Sequence, residues 1–129
     1  MTTLHEAIEV GVPAASGWEA LRDIQRTHEL FAGVLVASSV DGDIRTVTFA
    51  NGTVVRERII GVDDGLKRIA YTVLDRFEHH ASSMQIEAID HERCRFVWIS
   101  DFLPGSRAET VGTLMSLGCG ALKRALEER

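Results

Sequence analysis

The 129-residue chain has little of what secreted and membrane proteins depend on. It contains two cysteines, Cys94 and Cys119, and neither lies in a paired motif, so we expect buried reduced thiols rather than a disulfide. Residues 1–10 show no cationic segment followed by an apolar run, which argues against a signal peptide. No apolar stretch approaches the roughly 18 residues that a membrane span requires. These absences predict a cytoplasmic chain without a membrane span.

Basic clusters and catalytic signatures are scarce as well. The formal net charge is −5, and basic residues are adjacent only at Lys67-Arg68 and Lys123-Arg124. Binding a phosphate backbone needs clustered Lys and Arg, so we expect no nucleic-acid partner. The chain also lacks a Ser/His/Asp nucleophile arrangement, a phosphate-cradling loop and a dinucleotide fingerprint. His79 and His80 would point to opposite faces of a strand, and His5, His28 and His91 lie in unrelated segments, so no metal site is expected. No other cofactor is expected.

What the sequence does contain is the composition of a folded domain. Hydrophobic residues make up 45% of the chain and charged residues 26%, which is ordinary for a globular protein. A chain of this length can bury about two thirds of its unfolded surface. No repeat, linker or low-complexity tract interrupts the sequence. We therefore predict a single domain over residues 1–129.

Turn-forming residues recur between segments rich in β-branched and aromatic side chains. These turns are Asp41-Gly42, Asn51-Gly52, Asp63-Asp64-Gly65 and Asp90-His91-Glu92. Gly, Asn and Asp tolerate the positive φ of tight hairpins, so this spacing predicts an antiparallel meander. We place its strands near residues 34–40, 44–50, 53–62, 66–74, 79–90 and 93–103, with another near 3–11.

Two short helices are predicted after the first strand. Pro13 suits a first helical turn, and Trp18, Leu21 and Ile24 follow it at three-residue spacing. A second short turn is expected around residues 27–31. Both would lie between the first strand and the meander.

The last segment, from about Arg107 to Glu128, is the clearest helix in the chain. Its apolar residues fall on one stripe opposite a polar face. This stripe comprises Val111, Leu114, Met115, Gly118, Leu122, Ala125 and Leu126. A glycine inside a helix costs about 1 kcal/mol relative to alanine, so at Gly118 either a strand approaches closely or room is left for a bound molecule.

Both the helical stripe and one face of the sheet must be buried. The economical arrangement lays the helix across the concave face of the sheet. The sequence therefore predicts an α+β fold in which a curved six- to seven-stranded antiparallel sheet wraps around the C-terminal helix.

Alternation along each strand indicates which side chains face that helix. In residues 93–103 the aromatic row is assigned to the inside, and in residues 53–62 the face with Arg56 and Arg58 is assigned to the outside. The residues predicted to line a ligand site are Arg45, Val47, Phe49, Val55, Glu57, Ile59, Tyr71, Ser82, Met84, Phe96, Trp98, Ser100, Leu114, Met115 and Gly118. His80 is also expected to point inward.

The connection at Asn51-Gly52 decides whether two neighbouring strands bury compatible faces. A two-residue loop would place Thr46 opposite Glu57. A three-residue loop, Ala50-Asn51-Gly52 with Gly52 in the left-handed conformation, places Arg45 opposite Glu57 instead. We predict the second arrangement. It puts a cation beside a carboxylate on the inner face, where neither could remain charged alone at tolerable cost.

Several short motifs occur in an order typical of one superfamily. They are Val12-Pro13-Ala14, Trp18, Leu21-Arg22-Asp23-Ile24, Gly42, Arg45-Thr46-Val47, Val55-Arg56-Glu57-Arg58, Tyr71, Trp98, Phe102 and Pro104. In this order they resemble the START-like superfamily, which includes birch-pollen-allergen-type proteins, bacterial polyketide cyclase/dehydrase-type proteins and plant abscisic-acid receptors. The resemblance covers nearly the whole chain. It implies the helix-grip fold, with a START-like ligand-binding cavity between sheet and C-terminal helix.

The resemblance also bears on individual residues. In the receptor branch, the carboxylate matching Glu57 and the tyrosine matching Tyr71 line the pocket. Here the connection at Asn51-Gly52 is shorter than the receptors' gating loop, and residues 34–40 offer no basic pocket residue. Both departures argue against hormone-receptor gating.

Three functions stay open. The leading hypothesis is non-catalytic binding or carriage of a small hydrophobic or amphipathic molecule, with Arg45, Glu57 and Tyr71 orienting it in an apolar cavity. The alternative is an enzyme of the cyclase, aromatase or dehydratase type that uses Glu57, Tyr71 or His80 for proton transfer. The third is an interaction module with a closed, packed interior. Whether the chain forms a homodimer stays open in each case.

Overall fold

The computed structural model describes residues 2–129, over which the chain forms a seven-stranded antiparallel sheet. The strands are β1 (Thr2–Val10), β2 (Leu35–Asp41), β3 (Ile44–Phe49), β4 (Val54–Asp63), β5 (Arg68–Val73), β6 (His79–Ala88) and β7 (Cys94–Leu103). Their order in the sheet is β1-β7-β6-β5-β4-β3-β2. Strands β2 to β7 form the predicted meander, and β1 pairs with β7 at one edge.

The helices lie where the sequence predicts them. Helix α1 (Ala14–Arg22), a 3₁₀ turn (Ile24–Arg26) and helix α2 (Thr27–Leu30) connect β1 to β2. A second 3₁₀ turn (Gly105–Arg107) leads from β7 into helix α3 (Ala108–Glu127). The predicted α+β architecture is confirmed. Within residues 2–129, no helix combines the length and the apolarity needed to cross a bilayer.

Two strands, β5 and β6, are shorter than predicted by at least two residues, and turn geometry explains where β5 begins and β6 ends. β5 begins at Arg68 rather than at residue 66 because Lys67 has a positive φ of 54° and belongs to the preceding turn. β6 ends at Ala88 rather than at residue 90. The Asp90 carboxylate accepts the backbone N–H groups of Glu92 and Arg93 and so begins the next turn.

The β3–β4 connection has the predicted three-residue geometry. Gly52 has a φ of +90°, and its N–H donates to the Phe49 carbonyl at 2.9 Å. The Phe49 N–H in turn donates to the Thr53 carbonyl at 2.8 Å. This loop sets Arg45 directly opposite Glu57 in the paired strands. Directly opposed residues in paired strands point to the same face of a sheet. Arg45 and Glu57 both point to the concave face, where they line the same cavity.

The two halves of α3 meet the sheet differently. In the second half, Cys119, Leu122 and Leu126 are almost completely buried in the hydrophobic core. Leu114 in the first half is only partly buried, although Met115 beside it is 1% exposed. The core therefore fills one end of the space under the helix and leaves the other end open. Cys94 and Cys119 are buried and free of any disulfide, as the sequence predicts.

Candidate functional site

A cavity of about 490 Å³ lies between the concave face of the sheet and the first half of α3. Small-molecule sites in proteins typically measure roughly 300–1,000 Å³, so this space suits a ligand rather than a few waters. Its wall is mainly apolar. A hollow of this size rules out the packed interior that the interaction-module hypothesis requires.

Most residues predicted for the ligand site lie on the cavity wall. They are Arg45, Val47, Phe49, Val55, Glu57, Tyr71, Met84, Trp98, Ser100, Leu114, Met115 and Gly118. His80, the candidate proton-transfer residue, lies there too. Whether these residues contact a ligand stays a prediction.

Ile59, Ser82 and Phe96 are predicted for the same wall but do not line the cavity. Phe96 is fully buried, and its ring centre lies 6.4 Å from that of Phe31 and 6.0 Å from that of Trp98, both of which line the cavity. The Ser82 hydroxyl lies 2.6 Å from that of Ser100 and donates to the Ile99 carbonyl at 3.0 Å. Ile59 packs against the core. Alternation shows which face of a strand a side chain occupies, not whether another side chain covers it.

The wall residues that sequence analysis missed come mainly from loops and from the ends of helices. They are Thr27, Phe31, Val34, Leu35, Asn51, Thr53, Arg76, Phe77, Ser106, Arg107 and Thr110, and two further wall residues outside the predicted ligand site are Val73 of β5 and Val111 of α3. Loops have no periodicity that would assign their side chains to the interior. The exposed members of this set mark the opening of the cavity, and we call Asn51, Arg76, Ser106, Arg107 and Thr110 the mouth.

An ion pair forms part of the cavity wall. Arg45 Nε donates to Glu57 Oε1 at 2.8 Å, and the two side chains are only 4% and 12% exposed. This is the pair that the loop geometry predicts. Among the described residues, no buried side-chain nitrogen or oxygen lacks a hydrogen-bond partner. The Arg45 Nη atoms make no hydrogen bond within those residues, and Arg45 lines the cavity.

Tyr71 and Trp98 add a neutral polar group to the wall. The Trp98 Nε1–H donates to Tyr71 Oη at 3.1 Å and to Ser82 Oγ at 3.2 Å. The guanidinium carbon of Arg45 lies 5.8 Å from the centre of the Tyr71 ring, within cation–π range. Burial, followed by the negative charge of Glu57, raises the pKa of Tyr71. The phenol therefore stays protonated at neutral pH and can donate a hydrogen bond to a ligand.

His80 contributes a neutral imidazole. Its Nδ1 accepts the Val73 N–H at 3.0 Å, which places the ring proton on Nε2. Burial, followed by the charge of His79, lowers the pKa of His80 to about 4. The ring centre lies 5.9 Å from that of Tyr71 and 5.0 Å from that of Phe77. At neutral pH His80 therefore offers a hydrogen-bond donor and no charge.

Acid should destabilise the protein through His80. Its pKa of about 4 in the fold is below the ordinary 6.5, so the unfolded chain binds the proton first as the pH falls. The free energy of unfolding therefore decreases from pH 6.5 towards pH 4, and this contribution is absent above pH 6.5. Because the ring is partly exposed, we expect a loss of about 1–2 kcal/mol.

Urea unfolding at pH 4.5, 5.5 and 7 measures this loss. His80→Asn keeps an acceptor for the Val73 N–H and should flatten the pH dependence. His91→Asn is the matched control, because His91 is exposed and is not among the causes of the lowered His80 pKa, so the dependence should stay in place. Equal pH dependence in wild type and His80→Asn would contradict the assignment.

The described part of the chain brings no three His, Cys, Asp or Glu side chains together in a way that would hold a metal ion.

Residues 1–128 match the model of a family described as "Polyketide cyclase / dehydrase and lipid transport". Among curated proteins, nothing matches the sequence.

Solved structures with the same fold come from several bacteria. An uncharacterised protein from Bacillus thuringiensis is 15% identical with a TM-score of 0.88, over 97% of this chain and 98% of that one. A protein from Thermobifida fusca is 26% identical with a TM-score of 0.80, over 100% and 93%. The ZhuI aromatase/cyclase from a Streptomyces species is 18% identical with a TM-score of 0.75, over 98% and 92%. These similarities confirm the predicted helix-grip fold.

Proposed function

Because the chain belongs to the polyketide cyclase/dehydrase and lipid transport family, we propose that it binds and carries a small amphipathic molecule in the cavity beneath α3. The observation that carries the proposal is the composition of the cavity wall. It is mainly apolar, with Arg45, Glu57 and Tyr71 as an inner polar group and further polar side chains at the mouth. Such a wall combines affinity for an apolar body with a few groups that fix its orientation.

The inner polar group favours an uncharged oxygen on the ligand. Glu57 neutralises Arg45, so a second charge placed beside the pair would be buried without a partner of its own. The free Arg45 Nη atoms and the protonated Tyr71 phenol are hydrogen-bond donors. A carbonyl or hydroxyl oxygen at the inner end of the ligand would therefore accept a hydrogen bond from one of these donors. The apolar wall would contribute about 25 cal/mol for each Å² of ligand surface that it removes from water.

The titratable groups of the wall support binding more than proton transfer. General acid–base catalysis works best when the pKa of the catalytic group lies near the operating pH. Burial holds the pKa of His80 near 4, and burial raises the pKa of Tyr71. Glu57 is occupied by Arg45. Neither His80 nor Tyr71 is therefore poised to exchange a proton at neutral pH.

A cyclase, aromatase or dehydratase acting in the same cavity is the second candidate. The observation that favours it is the proximity of the His80 and Tyr71 rings, whose centres lie 5.9 Å apart on the wall. Both carry a proton, so together they could polarise a ligand carbonyl. An enzyme of this kind would lose turnover in Tyr71→Phe and His80→Asn while still binding its substrate. A carrier would show no turnover in any variant.

Filling the cavity should weaken binding. Leu114 lines the cavity, so Leu114→Trp places an indole in it. Leu117 is 56% exposed on another face of the same helix, and Leu117→Trp is the matched control. With the neutral fluorophore N-phenyl-1-naphthylamine as probe, we expect saturable binding in wild type and in Leu117→Trp. We expect affinity at least about tenfold weaker in Leu114→Trp, equivalent to about 1.4 kcal/mol. Equal affinity in all three folded proteins would overturn the proposal.

A further inference from the structure

Two arginines at the mouth of the cavity have no carboxylate partner. Arg76 lies in the β5–β6 loop, and Arg107 is the N-cap residue of α3. Both are exposed and both line the cavity. Within residues 2–129, the salt bridges formed at 4.0 Å or less include neither of them. Asp75, next to Arg76 in the chain, is paired with Arg56 instead.

Both guanidinium groups are held in position at the mouth. Arg76 Nη2 donates to the Val54 carbonyl at 2.9 Å. The guanidinium carbon of Arg107 lies 5.1 Å from the centre of the Phe77 ring, a cation–π contact. Because Phe77 is adjacent to Arg76 and lines the same cavity, one loop positions both arginines. Groups anchored in this way lose less conformational entropy when they bind a ligand.

The charge of the mouth is opposite in sign to that of the whole chain. The chain carries a net charge of −5, whereas the ionised side chains on the cavity wall are Arg45, Glu57, Arg76 and Arg107. Arg45 and Glu57 compensate each other at 2.8 Å. Arg76 and Arg107 therefore provide the uncompensated charge around the opening. Hydroxyl groups of Ser106 and Thr110 lie on the same rim.

We propose that Arg76 and Arg107 form an anion-recognition site, so that the ligand is an amphipathic acid with a carboxylate or phosphate head group at the mouth. The anion site rests on the proposed function, and it adds the charge of the ligand and the orientation in which the ligand binds. The guanidinium fork matches the oxygens of carboxylates and phosphates. A head group at the exposed mouth keeps part of its hydration and avoids the cost of burying a charge. Its apolar body would extend inward towards Tyr71 and Trp98.

Competition against N-phenyl-1-naphthylamine tests the site with three probes that share one alkyl chain. Decanoate and decyl phosphate carry the two acidic head groups, and decanol is the uncharged comparison. We expect at least one of the acids to compete better than decanol in the wild type. In Arg76→Gln/Arg107→Gln, affinity for that acid should fall by about tenfold or more, with decanol changed less than about twofold.

Arg68→Gln/Arg124→Gln is the control for net charge. Both residues are exposed, neither lines the cavity, and the double substitution removes the same charge. It should leave the competition of all three probes unchanged. Equal competition by decanol and both acids in wild type, or equal losses in the two double variants, would overturn the anion site and leave the proposed function standing. Failure of the fluorophore itself to bind wild type would overturn the proposed function.

Discussion

Glu57→Leu is expected to lower the free energy of unfolding by about 3 kcal/mol, because it leaves the Arg45 guanidinium buried without its partner. The Arg45 side chain is 4% exposed and donates through Nε to Glu57. Loss of one member of a buried ion pair typically costs about 3–5 kcal/mol. The cavity gives the remaining charge some access to water, so we expect the lower end of this range. Urea unfolding at pH 7 measures the change.

Removing both charges should reverse most of that loss. In Arg45→Met/Glu57→Leu no unpaired charge remains, so the free energy of unfolding should return to within about 1 kcal/mol of wild type. Asp43→Asn is the control for an exposed pair, since Arg58 and Asp43 are 49% and 62% exposed. It should change stability by less than about 1 kcal/mol. A double variant no more stable than Glu57→Leu would contradict the buried-pair interpretation.

Gly118→Ala is expected to destabilise the protein by about 1–3 kcal/mol, although alanine is a better helix former than glycine. A Cβ at this position would lie 2.7 Å from Cζ3 of Trp98 and 3.6 Å from Cδ1 of Phe31. The Trp98 indole would have to move, which would disturb its hydrogen bond to the Tyr71 hydroxyl. Of the two explanations for this glycine, close approach from a strand is the one the structure supports, since Trp98 belongs to β7.

Gly112→Ala, in the same helix, should change stability in the opposite direction. There the added Cβ would lie 3.7 Å from Cδ1 of Leu4, an ordinary van der Waals distance. Alanine should therefore stabilise α3 by about 0.5–1 kcal/mol. Thermal or urea unfolding of the two variants gives the comparison. Stabilisation by both substitutions would contradict the close packing of Trp98 against Gly118.

The features that depend on local chemistry could be predicted from the sequence. Turn-forming pairs such as Asn51-Gly52 delimit the strands, and the left-handed Gly52 places Arg45 opposite Glu57. The position of Gly118 on the apolar stripe predicts either close approach of a strand or room for a bound molecule, and in the structure Trp98 of β7 approaches it closely. Each of these inferences uses residues close in sequence, or one register that follows from a single loop.

The features that depend on tertiary packing could not be predicted in this way. Phe96 has the alternation of a wall residue but is fully buried and packs against Phe31, which a distant part of the chain supplies. Arg76 and Arg107 belong to connections without periodicity, yet the fold brings them to one rim. Which inward side chains are covered, and which loop residues reach the cavity, depends on how separate elements pack. The mouth was therefore the least predictable part of the candidate site.

The methyl groups of Met84 and Met115 offer the most direct test of the cavity as a binding site. Both side chains are at most 5% exposed to solvent, and both line the cavity. In protein labelled with methyl-¹³C methionine, titration with decanoate should shift both resonances saturably, and Leu114→Trp should need at least about tenfold more decanoate for the same fraction of the shift. Resonances of Met84 and Met115 that stay unmoved in wild type at saturating decanoate would contradict the account.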